Sequence, residues 1–218
     1  MSATAASPPD PYHVGHDRRS SDAAGHGEGG PPSRRIIVGY GFWIFLLSDI
    51  VMFSAFFATY AVLAESTAGG PSASGLFSLS RVGWETGCLL ASSFTCGLAA
   101  VAARGRAMAS TQAALLVTGL LGSAFLLLEL LEFAAMVAHG AGPTRSAFLS
   151  AFFALVGCHG LHIGAGLLWL GTMMAQIWVK GFRDDIQRRL LCFTLFWHAL
   201  DIVWVALFTV VYLMGGTR

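Results

Sequence analysis

The sequence predicts an all-α integral membrane protein, a bundle of five transmembrane helices, and three observations carry that prediction. Of 218 residues, 55% are hydrophobic and only 11% are charged, where soluble domains carry about a quarter. From Val38 onward, long apolar stretches alternate with short polar ones, and about 20 apolar residues suffice to cross a bilayer. The 13 Lys and Arg residues sit in tails, loops or the edges of apolar stretches. A soluble enzyme of this length needs a charged surface, and 13 bases with 12 acids are too few to supply one. A net charge of +1 without any basic run also excludes a nucleic-acid partner, which demands a basic footprint for its phosphates.

Residues 1–37 are rich in Pro, Gly, Ser, Asp and His and contain no long apolar run, the composition of a disordered tail. Its His13, His16 and His26 are irregularly spaced and do not form a metal motif. No apolar segment with a small-residue cleavage site precedes the first long stretch, so no removable signal peptide is expected. The membrane domain is predicted over residues 38–216, with spans at about 38–64, 82–103, 112–138, 147–179 and 190–214. Continuous apolar runs of this length are helices, because outer-membrane barrels use short alternating segments. Five spans place the tail and the second and fourth loops on one side. That side carries ten of the 13 bases, against Arg81, Arg145 and Arg218 on the other. Lys and Arg accumulate in cytoplasmic loops, so the N-terminus is predicted cytoplasmic and the C-terminus periplasmic.

The acids are distributed differently from the bases. Asp49, Glu85, Glu129, Glu132 and Asp201 fall inside apolar stretches, together with His159, His162 and His198. Ionisable groups in hydrocarbon are costly, so each is expected to face the bundle interior and is a functional candidate. Glu85 lies four residues from Arg81 and has the option of snorkelling to the headgroups. Glu129 and Glu132, His159 and His162, and His198 and Asp201 are each three apart, so each pair shares one face of its helix. Bundle proteins build carboxylate and histidine metal sites from such pairs, which leaves a stand-alone membrane haem or metal protein as one reading. Interhelical hydrogen bonding, routine in membrane bundles, is the other. A proton-coupled transporter would also use intramembrane acids, but no inverted repeat or broken-helix pair supports it.

Gly83 and Gly87, and Gly160 and Gly164, form small-xxx-small patterns that permit close helix approach, and Gly157 and Gly166 extend the small surface of the fourth span. That span is therefore expected to be central. Thr144 or Ser146, after Pro143, is positioned to cap it. Cys88, Cys96, Cys158 and Cys192 lie within spans without CxxC spacing and read as buried thiols. The chain contains no Walker loop, dinucleotide fingerprint, nucleophile elbow or HExxH helix. No catalytic residue is assigned.

Two segments resemble a known family. Phe152-Phe153-Ala-Leu-Val-Gly-Cys-His159-Gly-Leu-His162 and Phe196-Trp197-His198-Ala-Leu-Asp201-Ile-Val-Trp204 resemble signature segments of subunit III of the haem-copper terminal oxidases. Gly41-Phe42-Trp43-Ile44 through Asp49, Phe56-Phe57-Ala58-Thr59-Tyr60 and Glu129-Leu-Leu-Glu132 are similar to further segments of that family. The loops Thr67-Ala68-Gly69-Gly70-Pro71 and Gly142 to Phe153 resemble its quinol-oxidising, bo-type branch, the cytochrome o ubiquinol oxidases. The two extra N-terminal helices of many cytochrome c oxidase homologues are absent. The resemblance implies a non-catalytic subunit of the bacterial inner membrane that holds no metal or cofactor of its own. Haem and copper would reside in its partner, the catalytic subunit I. The chain would bind phospholipid and support assembly and sustained proton uptake. Asp49, Glu129, Glu132, His159, His162, His198 and Asp201 would form the polar interior. In the cytochrome c branch the acid at the Asp49 position is usually Glu, the carbodiimide-reactive group, and Asp is one methylene shorter. A five-helix subunit III of a cytochrome c oxidase is the alternative within the family.

Overall fold

The structure, a computed structural model, describes residues 34–67 and 79–213. Among these, five helices are long and apolar enough to cross a membrane, and there is no strand. We label them α1 (Arg34–Leu63), α2 (Leu79–Arg104), α3 (Met108–Ala138), α4 (Ala147–Lys180) and α5 (Asp184–Leu207), the last continuing as a π-helical segment over Phe208–Leu213. At about 1.5 Å per residue, even the 24 α-helical residues of α5 exceed a hydrocarbon core of about 30 Å. Most of the tail, residues 68–71 of the first loop and the C-terminal residues 214–218 lie outside the described residues, so the readings placed on them are not addressed.

Each helix starts or ends beyond its apolar stretch, because backbone hydrogen bonding continues into the flanking polar residues. The difference is largest for α5, which begins six residues before the predicted 190. Asp184 and Asp185 in its first turn complement the positive end of the helix dipole. The short loops close by local backbone hydrogen bonds. After α2, Ala107 N–H donates to Ala102 O (3.1 Å) and Arg106 N–H to Ala103 O (3.1 Å), with Arg106 at φ 53°. After α3, Ala141 N–H donates to Met136 O (2.9 Å) and Gly140 N–H to Val137 O (3.0 Å), with Gly140 at φ 75°. Both are Schellman caps, which satisfy carbonyls that a helix end would otherwise leave open. Ser146 caps the start of α4 by accepting from Leu149 N–H at 3.2 Å, which selects it over Thr144.

α5 packs against α1, α2 and α4, while α4 packs against α1, α3 and α5 and the α2–α3 hairpin forms the remaining wall. The centre is thus shared between α4 and α5, whose fully buried side chains include Phe148, Phe152, Phe193, Trp197 and Trp204. By contrast, only 11% of the apolar stretch of α1 is buried within the chain, against 50% for α5.

The closest helix approaches correct the expectation for Gly83 and Gly87. Both are exposed on α2, and a β-carbon at either would meet nothing within 4 Å. The tight contacts are at Gly122 on α3 and Gly166 on α4, where a β-carbon would stand 2.8 Å from the Trp197 ring. At Gly119 it would stand 2.7 Å from Leu170. The predicted Gly157, Gly160 and Gly164 do face neighbours, at 3.6 Å from Phe133, 3.4 Å from the Glu129 carboxyl oxygens and 3.9 Å from Leu126. Lipid and core are both apolar, so a glycine pattern does not reveal which side of a membrane helix turns inward.

Candidate functional site

Antiparallel alternation brings three acids to one end of the bundle. α2 begins near Arg81 and buries a stripe of Val82, Glu85, Leu89, Ser92, Cys96 and Ala99 at helical spacing. Glu85 belongs to that stripe and is fully buried, so it does not snorkel. α3 arrives at the same end with Glu129 and Glu132, also buried, three apart on its inner face. The three carboxyl groups are within electrostatic reach of one another and of Tyr212 in the π-helical segment. Glu129 lies against α4 at Gly160, where a β-carbon would stand 3.4 Å from both of its carboxyl oxygens.

Deeper in the bundle, His159 of α4 is fully buried among Phe125, Trp204 and Phe53, with ring centroids at 5.7, 5.1 and 6.5 Å. Its Nε2 lies 3.3 Å from Leu200 O and must donate, since a carbonyl only accepts. Three residues on, His162 is half-buried and turns Nδ1 to the Cys158 carbonyl of its own helix at 2.7 Å. On α5, His198 Nδ1 pairs with Ser93 Oγ of α2 at 2.6 Å, and Asp201 is half-buried one turn away. Two further bonds tie α5 to α2. Trp197 Nε1 donates to Ser92 Oγ (3.0 Å), which donates on to Thr118 O of α3 (3.0 Å), and Trp204 Nε1 donates to Thr86 Oγ1 (3.1 Å).

Asp49 stands apart from the acid cluster. It is half-buried on α1, in a small crevice formed with Leu46 and Phe53 of the same helix and Phe196, Leu200 and Val203 of α5. The predicted polar residues thus fall into three places: the carboxyl cluster at one end, a histidine, serine and aspartate layer near mid-depth, and Asp49 at the α1–α5 seam. Among the described residues no group of three or more His, Cys, Asp or Glu could hold a metal ion. The four cysteines are free. The hydroxyl groups of Ser92, Ser93 and Thr86, which pair across helices, were not singled out by sequence reasoning. Single Ser and Thr residues in an apolar helix carry no spacing signal of their own.

Comparison with known proteins gives consistent matches over nearly the whole chain. The sequence profile of the family described as cytochrome c oxidase subunit III matches residues 25–216. A protein of Pseudomonas aeruginosa named cytochrome bo(3) ubiquinol oxidase subunit 3 is 50% identical over 207 residues, 95% of this chain and 94% of the relative. Quinol oxidase subunit 3 of Bacillus subtilis is 42% identical over 80% of this chain and 86% of the relative. Cytochrome c oxidase subunit 3 of Bacillus sp. PS3 is 43% identical over 80% of this chain and 84% of the relative.

Proposed function

Because the chain belongs to the cytochrome c oxidase subunit III family, we propose that it is the non-catalytic third subunit of a bacterial proton-pumping quinol oxidase. The observation that carries the quinol branch is the 50% identity, spanning 95% of the chain, to a ubiquinol oxidase subunit. The chain sits in the inner membrane with its N-terminal tail cytoplasmic and its C-terminus periplasmic, the orientation that the ten-to-three split of its bases favours. Its partners are the catalytic subunit I, which holds the haem and copper, the other oxidase subunits and membrane phospholipid. Among the described residues the acids and histidines form no group able to hold a metal ion.

The chain's own contribution is positional. Hydroxyl, indole and imidazole groups join α2, α3 and α5 by hydrogen bonds that lipid cannot replace. That rigid core presents the sparsely buried α1, with Asp49 at its seam, to the surrounding complex. Asp49 is the residue assigned to influence lipid binding or proton delivery to the partner. Glu129, Glu132, His159, His162, His198 and Asp201 maintain the polar interior. Purified oxidase lacking this chain is expected to assemble poorly or to lose activity during sustained turnover, and retention of both would refute the role. Oxygen consumption by the purified complex is expected with quinol and not with reduced cytochrome c. The opposite result would favour the second reading, a cytochrome c oxidase subunit, which the 43% identity to the Bacillus sp. PS3 protein supports.

A further inference from the structure

Seven buried side-chain nitrogen or oxygen atoms among the described residues have no hydrogen-bond partner within the chain, and six belong to Glu85, Glu129, His159 and Asp201. Four of the six are the carboxyl oxygens of Glu85 and Glu129, which come from different helices yet lie within electrostatic reach of each other. Glu85 is 0% exposed and Glu129 4%. A buried polar group left without a partner costs about 1–3 kcal/mol, and in native structures such groups are almost always satisfied by protein or ordered water. Hydrocarbon offers neither donors nor acceptors. Arg81 is within electrostatic reach of Glu85 and Glu132. Among the described residues, however, the one ion pair within 4.0 Å is Arg183 with Asp185.

We propose that Glu85, Glu129 and Glu132 enclose a small cluster of internal water molecules, a polar ligand site that bridges α2 to α3 beside α4. Water suits the site because it donates two hydrogen bonds to acceptors that the chain leaves open, and a buried water characteristically has two to four polar partners. Gly160 forms one wall, where even a β-carbon would stand 3.4 Å from both Glu129 oxygens. Arg81 lies at the end of the bundle from which solvent would enter. A metal cation does not fit, since these residues form no group able to hold one. The site exists whichever electron donor the oxidase uses.

The test uses the intact purified oxidase. A high-resolution density map is expected to show solvent peaks within hydrogen-bond distance of oxygens of both Glu85 and Glu129. Carboxyl groups bonded directly to each other, or no peak between them, would overturn the proposal. Variants give a second readout. Glu129→Gln keeps hydrogen-bonding groups and is expected to retain the peaks and nearly the wild-type melting temperature. Glu129→Leu is expected to lose the peaks and melt lower than Glu129→Gln. If the oxygens are simply unpaired, replacing them by an apolar group is neutral or stabilising, so a Leu variant at least as stable as the Gln variant would also refute the site. Should Glu129→Leu fail to assemble, the wild-type and Glu129→Gln maps still decide the matter.

Discussion

Trp197 shows how one side chain organises several helices. Its ring fills the space left by Gly122 of α3 and Gly166 of α4, while its indole N–H is anchored on Ser92 of α2. A methyl group at Gly166 would arrive 2.8 Å from the ring and 3.2 Å from Phe196, both themselves packed in place. Overpacking of this kind costs about 1–3 kcal/mol. Gly166→Ala is therefore expected to lower the melting temperature of the oxidase or release this subunit on purification. Gly87→Ala, on an open face, is expected to leave this chain's own packing unchanged, and equal losses for both would show that the ring contact is not decisive. Tolerance at Gly87 also separates a glycine used for packing from one that merely occurs in the right pattern.

Among the elements, α4 has the most explicit start signal. Ser146 accepts from Leu149 N–H, and Phe148 N–H is bonded to Ser66 O of the first loop at 3.3 Å. Two of the donors at the helix start are thus satisfied at the end of the bundle that holds the acid cluster. Replacing a Ser cap by Ala costs about 1 kcal/mol. Ser146→Ala should thus melt lower than wild type, with Ser146→Asp restoring the loss, and a silent Ser146→Ala would mean the first loop alone fixes this end. In sequence this cap was readable as Thr144 or Ser146, both of which follow Pro143 and precede an apolar run, and the bond from Leu149 N–H selects Ser146. The five spans were readable for an equally physical reason: the bilayer imposes a minimum apolar length. What could not be read is which face of each span turns inward. The burial of Glu85 and the pairing of Ser93 with His198 depend on that rotation, and apolar residues all round a helix carry no record of it.

At the scale of the whole molecule, orientation is the property most open to a decisive measurement. The four native cysteines lie within the helices, so a cysteine introduced in a loop reports alone. Thr144→Cys, between α3 and α4, should react with a membrane-impermeant thiol reagent applied from the periplasmic side, and Arg106→Cys, between α2 and α3, should not. The reverse pattern would invert the assigned topology. The membrane domain was legible as a set of spans, and the paired acids as interior groups. Their division into a carboxyl cluster, a mid-depth layer and the separate Asp49 seam required the helices to be assembled. That assembly has an order in time. Without α5, the other four helices make an open row in which α1 touches α4, α4 touches α3 and α3 touches α2. The helix that closes the row is synthesised after the other four, so until it enters the membrane the growing chain exists as an unfinished fence of spans. A chain ending at Lys180 is therefore expected to stay in that open arrangement.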